Sequence, residues 1–255
     1  MNRLTDFPLL VFAISLLWLY LWAWFGAALG RRRPIDAEGA RGDFDVVRAA
    51  TLTLLGLIIG FSFSMAISRY DQRKNYEEAE ANAIGTEYVR AGLLSAADAA
   101  TVRTLLKKYL DQRVLFYTSR DTQRLRQIDG DTAKLQADLW AALQGPAAAN
   151  PTPVTALALA GMNDVLNSQG YTQAAWWNRI PRAAWGFMLT IATCSSVLIG
   201  YGARGTVPET ILLLVLPLVV AISFFFIADL DSPRGGVIRV NPQNLVSLAE
   251  SLGAQ

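Results

Sequence analysis

The 255-residue sequence contains no histidine and a single cysteine, Cys194. One cysteine cannot form an intrachain disulfide, and it cannot build a cluster of thiolate metal ligands. Without histidine the chain lacks the commonest metal ligand and the usual general base near neutral pH. The sequence also lacks the glycine-rich phosphate loops of the Walker and G-x-G-x-x-G types. We therefore expect no cofactor, no metal site and no enzymatic activity.

Charge is scarce as well, because charged residues make up 17% of the chain. Soluble domains usually carry about 25%. The net charge of +2 is close to balance, so it gives no electrostatic reason to expect nucleic acid as a partner. Hydrophobic residues, in contrast, account for 53% of the sequence.

The deficit of charge is concentrated in four stretches that carry none: Phe7–Gly30, Ala49–Ser68, Ala183–Ala203 and Thr210–Ala228. A helix needs about 20 apolar residues to cross a hydrocarbon core roughly 30 Å thick. Lipid offers no hydrogen-bond partners, so a crossing segment must satisfy its own backbone as a helix. The sequence therefore predicts an all-α, multi-pass membrane protein with four transmembrane helices and the lipid bilayer as partner.

These spans divide the chain into four segments: 1–68 with the first two spans, 69–182, 183–228 with the last two spans, and a C-terminal tail at 229–255. The segment 69–182 is predicted to be a helical extramembrane domain inserted between the second and third spans. The second span should continue into it as one helix, since good helix formers follow without Pro. Ser95 with Asp98 predicts the start of a second helix.

Three further details of the layout are predicted from turn and helix signals. Residues 31–48 should form a short loop between the first two spans. Gly145 and Pro146 should end a helix that begins near Asp121, and Gly170 should lie beyond a helix that starts at Pro153. Pro217 falls inside the fourth span, where membrane helices tolerate proline.

The sequence leaves open which side of the membrane carries the inserted segment. With four spans, both termini and residues 69–182 share one side. The basic residues near the span ends on that side are Arg3, Arg69, Arg73, Lys74, Arg179, Arg182, Arg234 and Arg239. Those on the other side are Arg31, Arg32, Arg33, Arg41, Arg48 and Arg204. Eight basic residues on one side and six on the other do not fix the orientation, although the positive-inside rule gives most weight to short loops.

The second span differs chemically from the others. Small residues recur every four positions: Gly56, Gly60, Ser64 and Ser68. Such a stripe usually packs closely against another helix, and the alternative is that it faces a conduit. A neighbouring stripe of Thr53, Leu57 and Phe61 could form an apolar constriction that gates by dewetting. A single helix cannot enclose a pore, so the second interpretation requires a homo-oligomer.

Acidic residues follow the second span. Glu77 and Glu80 are three positions apart and can share a helix face. In an oligomer they could present a carboxylate ring that attracts cations. The alternative is an ordinary solvated face of the helix, paired with Arg73 and Lys74.

Three blocks of the sequence resemble a known family. They are residues 55–74, which include Gly60-Phe61-Ser62-Phe63 and Arg69-Tyr70, residues 80–88, and residues 230–240. In these blocks the chain is similar to the bacterial bestrophin-like membrane proteins and, more distantly, to bestrophin anion channels. The resemblance implies a pentamer with an apolar neck at Thr53, Leu57 and Phe61, and a bacterial inner-membrane location with the large domain in the cytoplasm. Thr53 departs from the bulkier bestrophin neck, and no segment matches a bestrophin calcium clasp.

Two functions follow from these observations. The first is a subunit of a homo-oligomeric channel whose second span lines the neck. The second is a non-conducting scaffold or sensor in the membrane, whose helical domain binds a partner.

Overall fold

The computed structural model of the chain describes residues 4–32, 38–203 and 207–253. Every regular element within these residues is helical, so the predicted all-α class is confirmed. Eight α-helices follow one another: α1 (Pro8–Arg32), α2 (Glu38–Arg90), α3 (Ala96–Thr118), α4 (Thr122–Ala149), α5 (Pro153–Trp177), α6 (Arg182–Gly202), α7 (Val207–Asp231) and α8 (Gln243–Gly253). Short 3₁₀ turns cover Leu4–Asp6 and Ala91–Leu93.

Within the described residues, four helical stretches are long and apolar enough to cross a membrane. They lie in α1, in α2, in the stretch Pro153–Gly202 and in Leu213–Asp231 of α7. Within Pro153–Gly202 the helix is interrupted between α5 and α6, and the charge-free run belongs to α6. The prediction of four spanning helices is therefore confirmed by length and composition, and a membrane location follows.

The described chain forms two compact units. The first contains Met1–Tyr70 and Arg179–Arg239. Its centre is α1, which packs against both α6 and α7. Leu19, Leu55, Phe224 and Ile227 are buried in its apolar core. Such burial is what fixes a helix bundle in one arrangement, since the interior must be filled to crystal-like density.

The second unit contains Asp71–Asn178 and Val240–Gln255. Helices α3 and α4 form an antiparallel hairpin, and α5 and α8 pack on it. Val102, Leu106, Leu139 and Met162 are fully buried. The unit therefore has a hydrophobic core of its own.

Three predicted boundaries were wrong. Helix α2 begins at Glu38, inside the loop predicted for residues 31–48. Helix α4 passes Pro146 and ends at Ala149, because a proline in the last turn removes only one helical hydrogen bond. Helix α5 continues past Gly170 to Trp177. Beyond that glycine it buries Thr172 and Trp176, and this packing outweighs the roughly 1 kcal/mol cost of glycine in a helix.

Other local predictions are confirmed. The second span does continue as one helix, α2, to Arg90. Ser95 caps α3 by accepting the backbone N–H of Asp98 at 3.3 Å. Pro217 lies inside α7. Of the basic residues weighed for orientation, Arg3, Arg33 and Arg204 lie outside the described residues.

Candidate functional site on the second span

The candidate neck residues lie on an outward face of α2. Leu57 and Phe61 expose 52% and 64% of their surface, and Thr53 is exposed as well. Residues four positions apart on a helix lie one above the other, so the three side chains form a single stripe. The Thr53 hydroxyl donates to the Ala49 carbonyl at 2.9 Å. Its polar hydrogen is therefore used within the helix, and Thr53 is less polar toward its surroundings than its residue type implies.

The opposite face of the same span explains this orientation. Leu55 is 2% exposed and Ala66 is fully buried, with Ile58 and Ile59 packed against the same core. The burial of this face leaves the Thr53–Leu57–Phe61 stripe without a partner among the described residues of the first unit. Exposed Leu and Phe are expected on a helix that meets lipid or another subunit, since neither environment penalises apolar surface.

The small-residue stripe is open too. A Cβ placed on Gly56 or Gly60 would meet no heavy atom within 4 Å. Ser64 and Ser68 are exposed. No helix of the described chain therefore packs closely on this stripe. A packing role for it would have to involve a second subunit, and the conduit interpretation remains compatible with the geometry.

Close helix packing occurs at a place that the sequence analysis missed. A Cβ on Gly26 of α1 would overlap the backbone of Val197 in α6, and one on Gly200 would overlap the backbone of Ala23. A signal was present, because Gly26 and Gly30 form a G-x-x-x-G pair in the first span. These glycines let α1 and α6 approach to backbone contact.

In the first unit, a cluster of charged residues connects the end of α7 with the segments that contain Arg69, Arg179 and Asp6. Asp231, at the end of α7, is 1% exposed. Its carboxylate accepts the Ile180 N–H at 2.9 Å and lies 3.4 Å from the Arg69 guanidinium. Arg179 lies 3.6 Å from the same carboxylate and also pairs with Asp6. Asp231 lies in one of the blocks of family resemblance, but no local pattern marks it, because its pairs join residues far apart in the chain.

The turn after α7 depends on a second buried carboxylate. Asp229 accepts the backbone N–H groups of Val237 at 2.7 Å and Ile238 at 2.8 Å. A Cβ on Gly236 would meet the Asp229 backbone and carboxylate. Glycine is therefore required where the returning chain crosses Asp229.

The two carboxylates predicted to form a ring are buried in the second unit. Glu77 is 1% exposed and accepts the Leu245 N–H at 2.9 Å and the Asn244 amide at 2.7 Å. These groups belong to the first turn of α8, where a negative charge is favourable. The Glu77 carboxylate is therefore buried against the first turn of α8.

Glu80 is fully buried and serves the core of the same unit. It pairs with Arg113, and it accepts hydrogen bonds from the Thr172 hydroxyl at 3.1 Å and the Tyr117 hydroxyl at 3.3 Å. Burial by itself lowers the pKa of Arg113, but the Glu80 carboxylate more than offsets this and the pKa is raised. Burial raises the pKa of Tyr109 and Tyr117 well above the usual range, and Glu80 raises both further. Both glutamates thus make structural contacts within the second unit, and a carboxylate ring at these positions stays a prediction.

Exposed polar residues occupy the other face of α2 in this unit. They are Asp71, Asn75, Glu78 and Asn82. Their spacing of four, three and four positions matches the period of a helix face. The acidic groups of α2 that face outward here are thus Asp71 and Glu78.

Glu87 is the third buried carboxylate of α2 in the second unit. It is fully buried, and neither of its oxygens has a hydrogen-bond partner among the described residues. It lies against Gly161 of α5 together with Arg90, since a Cβ on Gly161 would overlap both side chains. An unpaired buried carboxylate is costly, so it marks a place where the protonation state matters.

No group of three or more potential metal ligands occurs in the described ranges 4–32, 38–203 and 207–253. Cys194 is exposed on α6. The most distinctive feature of the described residues is the unpartnered face of the second span.

Comparison with known proteins points to one family. The family model of the Bestrophin-like domain matches residues 17–245. A crystal structure of a bacterial bestrophin homologue from Klebsiella pneumoniae, in a mutant form, superposes with a TM-score of 0.67 at 12% identity, covering 95% of this chain and 94% of that one. A second structure of the Klebsiella homologue, phased on zinc, gives 0.65 at 14% identity and covers 96% and 95%. None of the curated proteins compared with the chain matches it.

Proposed function

Because this chain belongs to the bestrophin-like family, we propose that it is one subunit of a homo-oligomeric, bestrophin-like membrane channel. The second span of each subunit would line an apolar neck with Thr53, Leu57 and Phe61. The family resemblance favours a pentamer. The protein would act in the inner membrane of a bacterium and would have no enzymatic activity.

One observation carries this proposal: the second span has an unpartnered face. Leu57 and Phe61 are more than half exposed while Leu55 and Ala66 on the other side are buried. In the bilayer such a face must meet either lipid or another copy of the chain. The accompanying Gly56 and Gly60 favour the second, because small residues let neighbouring helices approach each other closely.

We place residues 69–182 outside the bilayer as the helical domain inserted between the second and third spans. The boundaries of the second compact unit, Asp71 and Asn178, support this, since they fall within a few residues of the charge-free stretches. The four segments 1–68, 69–182, 183–228 and 229–255 are then the spans, the inserted domain and the tail. The continuous helix α2 links the proposed neck covalently to that domain.

We propose ions as the cargo, with Asp71 and Glu78 as the acidic groups that approach them. Both are exposed on α2, whereas Glu77 and Glu80 are buried. A ring of carboxylates attracts cations by raising their local concentration. This replaces the ring first expected at Glu77 and Glu80.

A non-conducting scaffold or sensor is the second candidate. The second unit has its own hydrophobic core, with Val102, Leu106 and Met162 fully buried, and therefore it could bind a partner without any ion flow. A protein that forms the oligomer but passes no ions in liposomes would favour this function.

Ion flux in proteoliposomes tests the channel. Phe61→Ala should raise flux severalfold, because a smaller apolar ring dewets less readily. Phe63→Ala is the matched control: it lies in the same span two residues on, so it points to the other side of the helix, and it is 39% exposed. Its flux should equal that of the unmodified protein.

Two results would reject this assignment. Equal flux in the unmodified protein and in Phe61→Ala would remove Phe61 from the neck. A strictly monomeric protein in detergent, measured by light scattering, would exclude the homo-oligomeric channel altogether.

A further inference from the structure

We propose that the turn between α3 and α4 docks onto the headgroups of anionic lipids through Arg120, Arg124 and Arg126. The inference rests on the proposed placement of residues 69–182 outside the bilayer. It is independent of whether the protein conducts ions, and it adds a lipid ligand to the proposed function.

Side-chain contacts bring the relevant segments to one end of the second unit. The Arg73 guanidinium donates to the Ala175 carbonyl at 3.5 Å, which joins the start of this part of α2 to the end of α5. The Trp176 ring lies 4.9 Å from Phe116 and 5.4 Å from Tyr117, near the end of α3. Helix α4 begins only a few residues later, so its first turn belongs to the same end.

The chain itself brings this end close to the bilayer. Only residues 178–181 separate the end of α5 from α6, the third candidate span. Four extended residues reach at most about 14 Å. Lys74 follows Ser68, the last residue of the second charge-free stretch, by six positions, which is about 9 Å of helix. Both connections therefore keep this end within headgroup distance of the membrane.

The exposed charge at this end is predominantly positive. Arg120, Arg124 and Arg126 are exposed, as is Lys74. Asp71, Asp121 and, one turn beyond Arg126, Asp129 are exposed nearby, but Asp121 already caps α4. Its carboxylate accepts the backbone N–H groups of Gln123 at 3.2 Å and Arg124 at 3.0 Å.

Trp177 adds an exposed aromatic group at the end of α5 in the same unit. It is 71% exposed, whereas its neighbour Trp176 is buried. Exposed tryptophan is typical of the level of the lipid headgroups. The far ends of α4 and α5 differ sharply, because residues 139–163 carry no charge. Positive charge is thus present at the end that the spans hold near the membrane and absent from the far ends of α4 and α5.

Phosphate headgroups match this chemistry. Arginine presents a planar fork of donors that suits phosphate oxygens. An anionic leaflet attracts juxtamembrane basic groups, and the attraction fades within a Debye length of the surface. The arginines follow Tyr117, which contacts Trp176 at the end of α5, so they belong to the end of the unit that the short connection to α6 joins to the span.

The experiment uses the full chain in nanodiscs. A bimane probe is attached at Gln123→Cys in a Cys194→Ser background, which places it in the docking turn. Discs contain either phosphatidylcholine alone or phosphatidylcholine with about 30% phosphatidylglycerol, a mimic of an anionic leaflet. We expect the probe emission to shift to the blue only with the anionic lipid, and about 1 M salt to reverse the shift through screening.

Matched variants separate specific docking from general charge. Arg124→Gln with Arg126→Gln should lose most of the shift. Lys108→Gln with Lys134→Gln removes the same charge from exposed positions elsewhere on α3 and α4 and should keep it. Arg124→Lys with Arg126→Lys should retain the shift, which shows that the turn still folds when these arginines are replaced.

Three outcomes would overturn the proposal: an equal shift in both kinds of disc, an equal loss in the lysine-to-glutamine variant, or the same shift produced by inorganic phosphate in phosphatidylcholine discs. Flux is not measured in this experiment. A failure of lipid docking is therefore distinguishable from a failure of the proposed channel.

Discussion

Glu87 illustrates how one residue can make this fold sensitive to pH. Burial raises the pKa of its carboxyl group to about 7; Arg90 opposes the shift, and the nearby Asp164 adds to it. The group lies about twenty residues past the second charge-free stretch, in the proposed extramembrane domain. It therefore holds its proton in the folded state over a pH range in which the unfolded chain has released it.

The sign of the pH dependence follows from this difference. Between pH values of about 4.5 and 7 the folded protein binds one more proton than the unfolded chain, so the free energy of unfolding falls as the pH rises. Glu87→Gln removes the titrating group and should flatten this part of the profile. Thermal unfolding from pH 4 to 8, measured on both proteins, checks it. An identical pH slope in the two proteins would show that Glu87 is not the responsible group.

At the scale of the element, the two kinds of glycine in the spans have different tasks. Gly200 of α6 and Gly26 of α1 sit where backbones touch, whereas Gly56 and Gly60 of α2 face open space. Gly26 and Gly200 therefore allow close helix packing within one subunit. Gly56 and Gly60 leave a face of α2 free, which in our proposal contacts a neighbouring subunit.

Helix α6 offers a matched test of the packing role. A Cβ at Gly200 would overlap the Ala23 backbone, but one at Gly186 would meet nothing within 4 Å. Gly200→Ala should therefore destabilise the protein by about 1–3 kcal/mol, the usual range for overpacking. Gly186→Ala should be neutral or slightly stabilising, since alanine is the better helix former. Thermal unfolding in detergent compares the two, and equal destabilisation would contradict tight packing at Gly200.

At the scale of the whole molecule, the acidic residues of α2 form two groups. The buried ones make structural contacts, and the exposed ones are those that we propose attract ions. Glu77 and Glu80 are buried and hold α8 and Arg113, while Asp71 and Glu78 are exposed. In a symmetric oligomer an exposed residue is repeated in every subunit. Its charge therefore counts several times for an ion that approaches the pore.

Glu78→Gln should shift selectivity away from cations and leave the thermal stability nearly unchanged. Glu80→Gln should do the reverse: it leaves Arg113 as a poorly compensated buried charge, which typically costs about 3–5 kcal/mol. Reversal potentials in a salt gradient and unfolding temperatures measure the two effects. A selectivity change in Glu80→Gln without loss of stability would favour a ring at Glu77 and Glu80 over one at Asp71 and Glu78.

The sequence by itself determined the parts of this protein that depend on local physics. A charge-free stretch such as Ala49–Ser68 must cross the bilayer as a helix, because lipid satisfies no backbone group. The Ser95 cap and the continuous helix α2 follow from local preferences in the same way. The stripe at Thr53, Leu57 and Phe61 was predictable because helical period places those residues together.

Only the tertiary structure decided which faces are covered. Glu77 and Glu78 are neighbours in sequence, yet packing buries one and leaves the other exposed. Gly56 and Gly200 both lie in charge-free spans, and only Gly200 meets another helix. The buried Arg69–Asp231 pair joins segments more than a hundred residues apart. Burial and long-range pairing are properties of the assembled elements, and no local pattern along the chain encodes them.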